Sequence, residues 1–250
     1  MIKCLFSILF CSFSLLVFSQ NKKDAQGRKQ GPWQKYAPDG ITLIYSGQFK
    51  DDKPIGAFTY YYPSGKVKTM IHHRGTGQSY AWFYFENEEL MSEGKYIGTQ
   101  KDSLWKNYNN EGFLLSTEWF KENKLHGEKK SFYLQDQREY GALKIYTLET
   151  YADSLLQGPF ATYLSSGIKV EEGNYVAGQK DGIWKRFYPN GQLQSSIKYN
   201  LGSAYGYSIS YDEEGAVRSK SYWLNGVKLN NDELQKYLEN CKKTGEIPKE

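Results

Sequence analysis

A motif of about 24 residues recurs along this chain of 250 residues and constrains its fold more than any other feature. The stretch GPWQKYAPDG, which begins at Gly31, returns as GIWKRFYPNG from Gly182. The same alignment gives eight unit starts, at Gly31, Gly56, Gln78, Ser103, Gly127, Gly158, Gly182 and Gly206. A fixed period of this length is typical of proteins in which one supersecondary unit is repeated and stacked on its neighbours.

Each unit is predicted to be a β-hairpin that turns at the same place. Pro, a turn-forming residue and Gly, as in PDG, PSG and PNG, separate two runs in which apolar and polar residues alternate. Nine places after each start lies a residue that tolerates a positive φ angle: Gly40, Gly65, Asn87, Gly112, Asp136, Gly167, Gly191 or Gly215. The sequence therefore predicts an all-β fold, a single-layer antiparallel meander of eight hairpins over residues 31–229.

Aromatic side chains supply the apolar surface of an otherwise polar chain, with 22 Tyr, 13 Phe and 6 Trp. Five places after each start the residue is always aromatic: Tyr36, Tyr61, Phe83, Tyr108, Phe132, Tyr163, Phe187 and Tyr211. Two places after the start, Lys129 and Ser208 interrupt a second column, which consists of Trp33, Phe58, Tyr80, Trp105, Phe160 and Trp184. An isolated hairpin is marginal in water, so rings that cover the next hairpin would stabilise the array.

The second column has two interpretations. We favour a structural ladder, in which each ring packs on the next. The alternative is an exposed row that stacks on sugars or holds a quaternary ammonium group. Burial separates the two, because a structural column is buried and a binding row is exposed.

Two units depart from the motif. The third, QSYAWFYFENEELMSEGKY, lacks both signature glycines, and the fifth is about seven residues longer through DQREYGALKIYTLETYADSLLQ. The extra residues are expected to form a looped insertion. Insertions in repeat proteins usually lie on one face, so the alternative is that these units mark a bend or a contact surface.

Residues 1–20, MIKCLFSILFCSFSLLVFSQ, predict a secretory signal peptide that is cleaved near Ser19 and Gln20. Lys3 precedes an apolar run that is interrupted by serines and is too short to be a membrane anchor. A lipoprotein site at Cys11 is disfavoured, since Phe10 stands where such sites prefer a small residue. The mature chain, which begins with a polar lead-in over residues 21–30, is therefore expected to be secreted or periplasmic.

Residues 230–250 predict a capping helix and a tail. Asn230 is a suitable N-cap with Glu233 three residues later, and basic residues precede Gly245. Leu234, Tyr237, Leu238 and Cys241 follow the spacing of one buried stripe, which suits a helix that closes the edge of the last hairpin. Cys241 would be the only cysteine of the mature chain, so no internal disulfide is possible, and it is interpreted as a small core residue rather than a reactive thiol.

Motifs that carry chemistry are sparse. The adjacent His72 and His73 point to opposite faces of a strand, which is poor geometry for one metal ion, and His126 lies at a return turn. The sequence has no nucleophile elbow, zinc-protease motif or phosphate-binding loop, and its lysines are interspersed with carboxylates. We therefore expect no catalytic, cofactor-binding or metal-ligating residues and no nucleic-acid partner.

The G-x-W-x-x-aromatic-x-x-x-G pattern, with its PNG turn and its later NGK or NKLHG return, resembles the bacterial MORN-variant repeat proteins, a group often labelled a YwqK-type antitoxin family. The resemblance covers roughly residues 31–229 and implies a single-layer β repeat with interaction roles. The chain is accordingly interpreted as an exported, non-enzymatic scaffold that binds another protein. The alternatives are a module that binds envelope glycans through exposed Trp and Tyr rows, and an antitoxin-like partner of a toxin, as the family label implies.

Overall fold

The computed structural model describes residues 21–248, and the predicted signal peptide lies outside them. The described chain forms one antiparallel sheet of 19 strands with two helices. Each strand pairs with its neighbour along the chain from the first strand to the last, except that the eleventh strand pairs with both the twelfth and the thirteenth. The predicted all-β single-layer meander with a C-terminal helix is confirmed.

The elements have the following bounds. The strands are Lys22–Lys23 (β1), Lys29–Tyr36 (β2), Leu43–Lys50 (β3), Lys53–Tyr61 (β4), Val67–His73 (β5), Gln78–Tyr84 (β6), Leu90–Ile97 (β7), Gln100–Tyr108 (β8), Leu114–Lys121 (β9), Lys124–Phe132 (β10), Ile145–Ala152 (β11), Leu155–Leu156 (β12), Gly158–Tyr163 (β13), Lys169–Val176 (β14), Gln179–Phe187 (β15), Leu193–Asn200 (β16), Ser203–Tyr211 (β17), Val217–Leu224 (β18) and Val227–Leu229 (β19). The helices are Leu134–Tyr140 (α1) and Asn231–Thr244 (α2).

The tight turns at the hairpin tips lie where the glycines were predicted to allow them. At Gly191, for example, φ is 86° and the backbone N–H donates to the carbonyl of Tyr188 over 2.8 Å. The other tip glycines also have positive φ angles: Gly40, Gly65, Gly112, Gly167 and Gly215. Successive tips are further joined by a tyrosine, since the hydroxyls of Tyr62, Tyr133 and Tyr188 donate to the carbonyls of Tyr84, Tyr163 and Tyr211.

The third unit is one residue out of step with the alignment made from the sequence. Its tip turn has the positive φ at Glu88, 73°, and not at Asn87. Strands β5 and β6 pair without a bulge, whereas β3 and β4 have one, so the second unit is one residue shorter than the motif requires. The third unit therefore starts at Ser79 rather than at Gln78.

This shift moves Tyr80 out of the ladder. Ala81, and not Tyr80, faces Gly94 across the strands, and Tyr84 replaces Phe83 in the column of eight aromatics. Because successive residues of a strand point to opposite faces, a slip of one residue places Tyr80 on the other side of the sheet. The prediction that Tyr80 belongs to the ladder is wrong.

The fifth hairpin carries the helix α1 at its tip. The sequence predicted a looped insertion here, and the structure shows that part of the insertion is helical. Asp136, predicted to be a turn residue, lies in the first turn of α1 and is buried. Its carboxylate forms an ion pair with Lys144, whose Nζ lies 2.8 Å from Oδ1 of Asp136. The left-handed Gly141, with φ of 63°, ends the helix and returns the chain to β11.

The core of this single-layer sheet is a line of residues that face one another from strand to strand, here called the ladder row. In chain order it contains Trp33, Gly47, Phe58, Ile71, Ala81, Gly94, Trp105, Glu118, Lys129, Glu149, Phe160, Gly173, Trp184 and Ile197. We call the side of the sheet that bears it the ladder face and the other side the second face. At Gly47, Gly94 and Gly173 the absence of a side chain lets the ring of Phe58, Trp105 or Trp184 lie against the backbone of the neighbouring strand.

Helix α2 packs on the last full hairpin. Asn230 caps it through a reciprocal pair of hydrogen bonds with Glu233, as the sequence predicts. The predicted stripe is the less exposed side of the helix, and Cys241 within it is buried. Tyr237 of the stripe packs on the buried ring of Tyr222 in β18, with 5.6 Å between the ring centroids.

The N-terminal edge of the sheet is covered by the lead-in residues, which form β1. The side-chain amide of Asn21 extends this short strand. It donates to the carbonyl of Gln34 over 2.9 Å and accepts from the N–H of Gln34 over 2.8 Å. A side chain thus satisfies backbone groups of β2 that a longer first strand would have paired.

Candidate functional site

The central rings of the ladder are structural. Phe58, Trp105 and Trp184 are each at most 2% exposed. The indole N–H of Trp105 donates to the carbonyl of Lys95, and that of Trp184 donates to the carbonyl of Asn174, both over 3.1 Å. Neither the face nor the polar atom of these indoles is available to a ligand, so the exposed-row interpretation does not hold for them.

Each ladder tryptophan is covered by a lysine four residues before it in the sequence. The ammonium groups of Lys29, Lys101 and Lys180 lie 5.1, 4.2 and 3.7 Å from the ring centroids of Trp33, Trp105 and Trp184. An ammonium at this distance is attracted by the π-electrons of the ring. The K-x-x-x-W spacing is visible in the sequence, but its role appears only when both residues are placed on the ladder face.

Trp33, Phe160 and Lys129 of the ladder row are less deeply buried than the three central rings. Trp33 contacts Phe49 edge to face at 5.9 Å, and Phe160 contacts Trp184 at 5.4 Å. At the exceptional position, Lys129 lies between Glu118 of β9 and Glu149 of β11. Its Nζ is 3.6 Å from Glu149, so a charged group replaces the ring at this point of the row.

The second face carries a cluster of two tyrosines around one carboxylate. The hydroxyls of Tyr80 and Tyr108 donate to Glu93 over 3.2 and 3.0 Å, and Lys106 approaches the same carboxylate at 3.3 Å. The ring of Tyr80 also contacts Trp82, with 4.7 Å between the centroids. Every polar group of the cluster already has a partner within it, so the cluster fixes the third and fourth hairpins to each other.

The contacts of this cluster predict that Tyr108 titrates at a higher pH than a free tyrosine. Burial, and next the hydrogen bond and charge of Glu93, raise the pKa of Tyr108 to about 12. Since phenols of the unfolded chain titrate near pH 10, the stabilising contribution of Tyr108 is complete below about pH 10 and is lost as the pH rises towards about 12. Glu93→Gln is expected to lower this pKa, measured by carbon NMR of protein labelled at tyrosine Cζ.

The control for that titration lies on the ladder face. Burial, then Glu149 and to a smaller extent Glu118 raise the pKa of Tyr151 to about 12. Glu118→Gln removes the last of these contributions. It should lower the pKa of Tyr151 and leave that of Tyr108 unchanged. A Tyr108 pKa that did not respond to Glu93→Gln would contradict the hydrogen-bonded cluster.

The insertion of the fifth unit is held rigidly against the fourth. The amide of Gln137 in α1 donates to the carbonyl of Leu114 over 2.8 Å and accepts from its N–H over 3.0 Å. Arg138 pairs with Glu111 and lies over the ring of Phe113. These contacts anchor a short helix that would not be stable alone.

Three large apolar side chains project from this anchored insertion. Tyr140, Leu143 and Tyr146 are 74%, 55% and 50% exposed, and we call them the insertion patch. Tyr146 also packs on Tyr133, at 5.2 Å between the ring centroids. All three lie within seven residues of the chain, and large apolar side chains exposed together are a common feature of interaction sites. The sequence marked this unit as irregular, but not which of its residues are exposed.

The three histidines are not gathered around one point. His72 is exposed, while His73 faces the opposite side of β5. The ring centroids of His73 and Phe58 are 5.5 Å apart, and the two ring planes are nearly perpendicular. Residues 21–248 contain no group of three or more acidic, histidine or cysteine side chains placed to bind a metal ion. Within the same residues, neither helix has the length and apolar character that a membrane-spanning helix requires.

The sequence profile of the MORN repeat variant matches two stretches of the chain, residues 54–74 and 180–201. These stretches correspond to the β4–β5 and β15–β16 hairpins, which hold the ladder rings of Phe58 and Trp184. No curated protein gives a match.

Solved structures show only distant similarity. A TarM mutant from S. aureus, in complex with fondaparinux, alpha-GlcNAc-glycerol and UDP, is 8% identical with a TM-score of 0.26, over 50% of this chain and 19% of that one. A structure of TcdB2-TccC3-Cdc42 is 14% identical with a TM-score of 0.25, over 83% of this chain and 12% of that one. The chain thus spans less than a fifth of either structure, and scores this low do not bear on its function.

Proposed function

We propose that this chain, a repeat protein that contains MORN-variant hairpins, is an exported, non-enzymatic scaffold that binds another protein through the insertion patch. The repeats build a long sheet in which each hairpin rests on the next. The fifth unit of this sheet departs from the motif and carries the insertion. The observation on which the proposal rests is that Tyr140, Leu143 and Tyr146 are exposed at the end of α1, in the connection that follows it and in β11. Helix α1 is fixed to the fourth hairpin by Gln137 and Arg138.

A fixed display favours binding of a protein. A backbone segment that is already ordered loses little conformational entropy when a partner covers it, and tyrosine is enriched among the residues that dominate interface energies. The ion pairs Arg138–Glu111 and Lys144–Asp136 balance the charges beside the patch. A partner surface that is apolar at its centre and weakly charged at its rim fits these features.

The glycan-binding alternative has lost its main support. It depended on exposed tryptophan rows, and Trp105 and Trp184 are buried with their N–H groups bonded to the backbone.

Export is supported by the signal-like segment of residues 1–20. Chain recovered from outside the cytoplasm should begin near Asn21. Amino-terminal sequencing of the recovered protein checks this, and protein that keeps Met1 and stays in the cytoplasm would contradict it.

The binding role is tested by comparing two triple variants of the full chain in its native cells, each carrying a C-terminal tag. Tyr140→Ser, Leu143→Ser and Tyr146→Ser together remove the insertion patch. Recovery of a cross-linked protein partner is expected to fall at least about tenfold, the loss that follows from removing one or two strong interface anchors.

The matched control removes equally exposed apolar groups elsewhere. Leu155→Ser, Val217→Ser and Val227→Ser replace residues that are 56%, 63% and 62% exposed. This variant should retain the partner. Equal recovery with both variants, provided that urea unfolding shows both to be folded, would refute the proposal.

A further inference from the structure

A groove of about 710 Å³ lies beside the return turns of the second and third hairpins, far along the chain from the insertion patch. Pro54 and Ile55 of β4, His73 of β5, and Gly75 and Gly77 of the β5–β6 connection line it. Most of the groove surface is apolar. Its volume lies in the range of protein ligand sites.

The groove lies where the repeat is irregular. Elsewhere a lysine four residues before the ladder tryptophan covers the ring, but the corresponding positions here are Pro54 and Gly77. The ladder residue of the third unit is Ala81 instead of a ring. The side chains that fill this corner in the tryptophan-containing units are therefore absent, and Pro54 and Gly77 line open space instead.

Two lysines give the groove a basic rim. Lys50 and Lys53 both line it and face each other across the β3–β4 turn. The two carboxylates between them already have partners: Asp51 binds Arg28 and Gln30 over 3.0 and 2.9 Å, and Asp52 accepts the backbone N–H of Lys29. Like charges placed opposite each other on neighbouring strands repel, so an anion bound between these lysines would be stabilising.

His73 adds a hydrogen-bonding group to the apolar wall. Burial, and then the neighbouring His72, lower its pKa, so its ring is neutral at pH 7. The charged side chains that line the groove, Lys50, Asp51 and Lys53, all come from the β3–β4 turn. The residues that line it from Gly75 to Ser79 and at Gly98 and Thr99 are uncharged.

We propose that this groove is a second binding site, which takes a peptide segment of a partner protein with an apolar side chain flanked by carboxylates. The apolar side chain lies against Pro54 and Ile55, and the carboxylates lie at Lys50 and Lys53. The site is separate from the insertion patch and does not depend on it.

The test uses a fluorescein-labelled peptide in which one phenylalanine stands between two glutamates. Its binding to the full chain is followed by fluorescence anisotropy. Lys50→Gln with Lys53→Gln is expected to weaken binding about fivefold to tenfold, the effect of losing two solvent-exposed ion pairs, and raising the salt concentration should weaken it similarly. Ile55→Ser is expected to weaken it about threefold or more, since it removes apolar contact area.

The chain offers a matched control at another turn of the same kind. Lys121 and Lys124 face each other across the β9–β10 turn, so Lys121→Gln with Lys124→Gln should leave the affinity unchanged. In histidine NMR spectra, the peptide should shift the ring signals of His73 and raise its pKa. The ring signals of His126 should stay in place.

Four outcomes would overturn this inference. They are the absence of binding, equal binding of peptides with lysine for glutamate or serine for phenylalanine, an unchanged His73 signal, and binding to anionic vesicles by the same lysines without binding to the peptide. The last would assign Lys50 and Lys53 to a membrane surface. None of these results bears on the insertion patch, whose variants leave the groove intact.

Discussion

Gly94→Ile is expected to lower the free energy of unfolding by about 3 kcal/mol, because the ladder has no room for a side chain at this position. A Cβ atom built on Gly94 would lie 2.2 Å from Cδ2 of Trp105. Trp105→Ala is expected to lower the free energy of unfolding by about 3–5 kcal/mol, since it leaves a cavity in the row. Urea unfolding of each variant measures both effects.

The two substitutions together should compensate in part. The preceding hairpins already contain such a pair, in which Ile71 faces Ala81 where Gly94 faces Trp105. The double variant is therefore expected to be more stable than the sum of the single effects by at least about 1.5 kcal/mol. Gly94→Ile combined with Val217→Ala, at an exposed position of the distant strand β18, should be additive within about 0.5 kcal/mol. Additivity in both pairs would show that the ring does not rest on the glycine.

Tyr222→Ala is expected to release helix α2 from the sheet. Tyr222 is 1% exposed and packs between Tyr207 and Tyr237, whose ring centroids are 4.9 and 5.6 Å away. Removing a buried ring of this size costs about 3–5 kcal/mol, and most of that loss falls on the docking of α2. Cys241, now buried, should then react with iodoacetamide about 100-fold faster or more, as measured by mass spectrometry of the peptide that contains it.

Two controls locate the effect. Tyr222→Phe keeps the ring and should raise the alkylation rate of Cys241 much less, since only a hydroxyl is lost. Trp33→Ala lies at the far end of the sheet and should leave the rate unchanged, because hairpins contact only their neighbours. Fast alkylation in the Trp33 variant would show that the whole sheet unfolds as one unit.

The sequence alone predicted the hairpin period, the tip turns at Gly65 and Gly191 and the cap at Asn230, because each depends on residues close together in the chain. The register of the third unit could not be found in this way. Both signature glycines are missing there, so the unit can be aligned only on its aromatic residues. Phe83 and Tyr84 then fit the aromatic position of the motif equally well. Strand pairing decides between them, and pairing is a property of the neighbouring strand.

The candidate surfaces were less accessible to sequence reasoning. Helix α1 is too short to show helical periodicity, and Gln137 and Arg138 hold it through residues of the preceding hairpin. The groove exists because Pro54 and Gly77 replace the lysine, and Ala81 replaces the ring, that fill this corner in the tryptophan-containing units. This can be recognised only once the lysine–tryptophan pairs of those units have been placed. The length of the fifth unit showed in the sequence that this unit is unusual. The insertion patch was identified only from the exposure of its side chains in the structure.

The pairing order, in which β1 lies at one end of the sheet and β19 at the other, has a mechanical consequence. A load applied between the two ends of the chain pulls strands apart sideways, so the hydrogen bonds of one strand break at a time instead of resisting together. Each hairpin that peels away releases about 24 residues, a gain in contour length of about 8 nm. Anchored at both ends, this protein would lengthen in steps under weak tension and shorten again as its hairpins re-form.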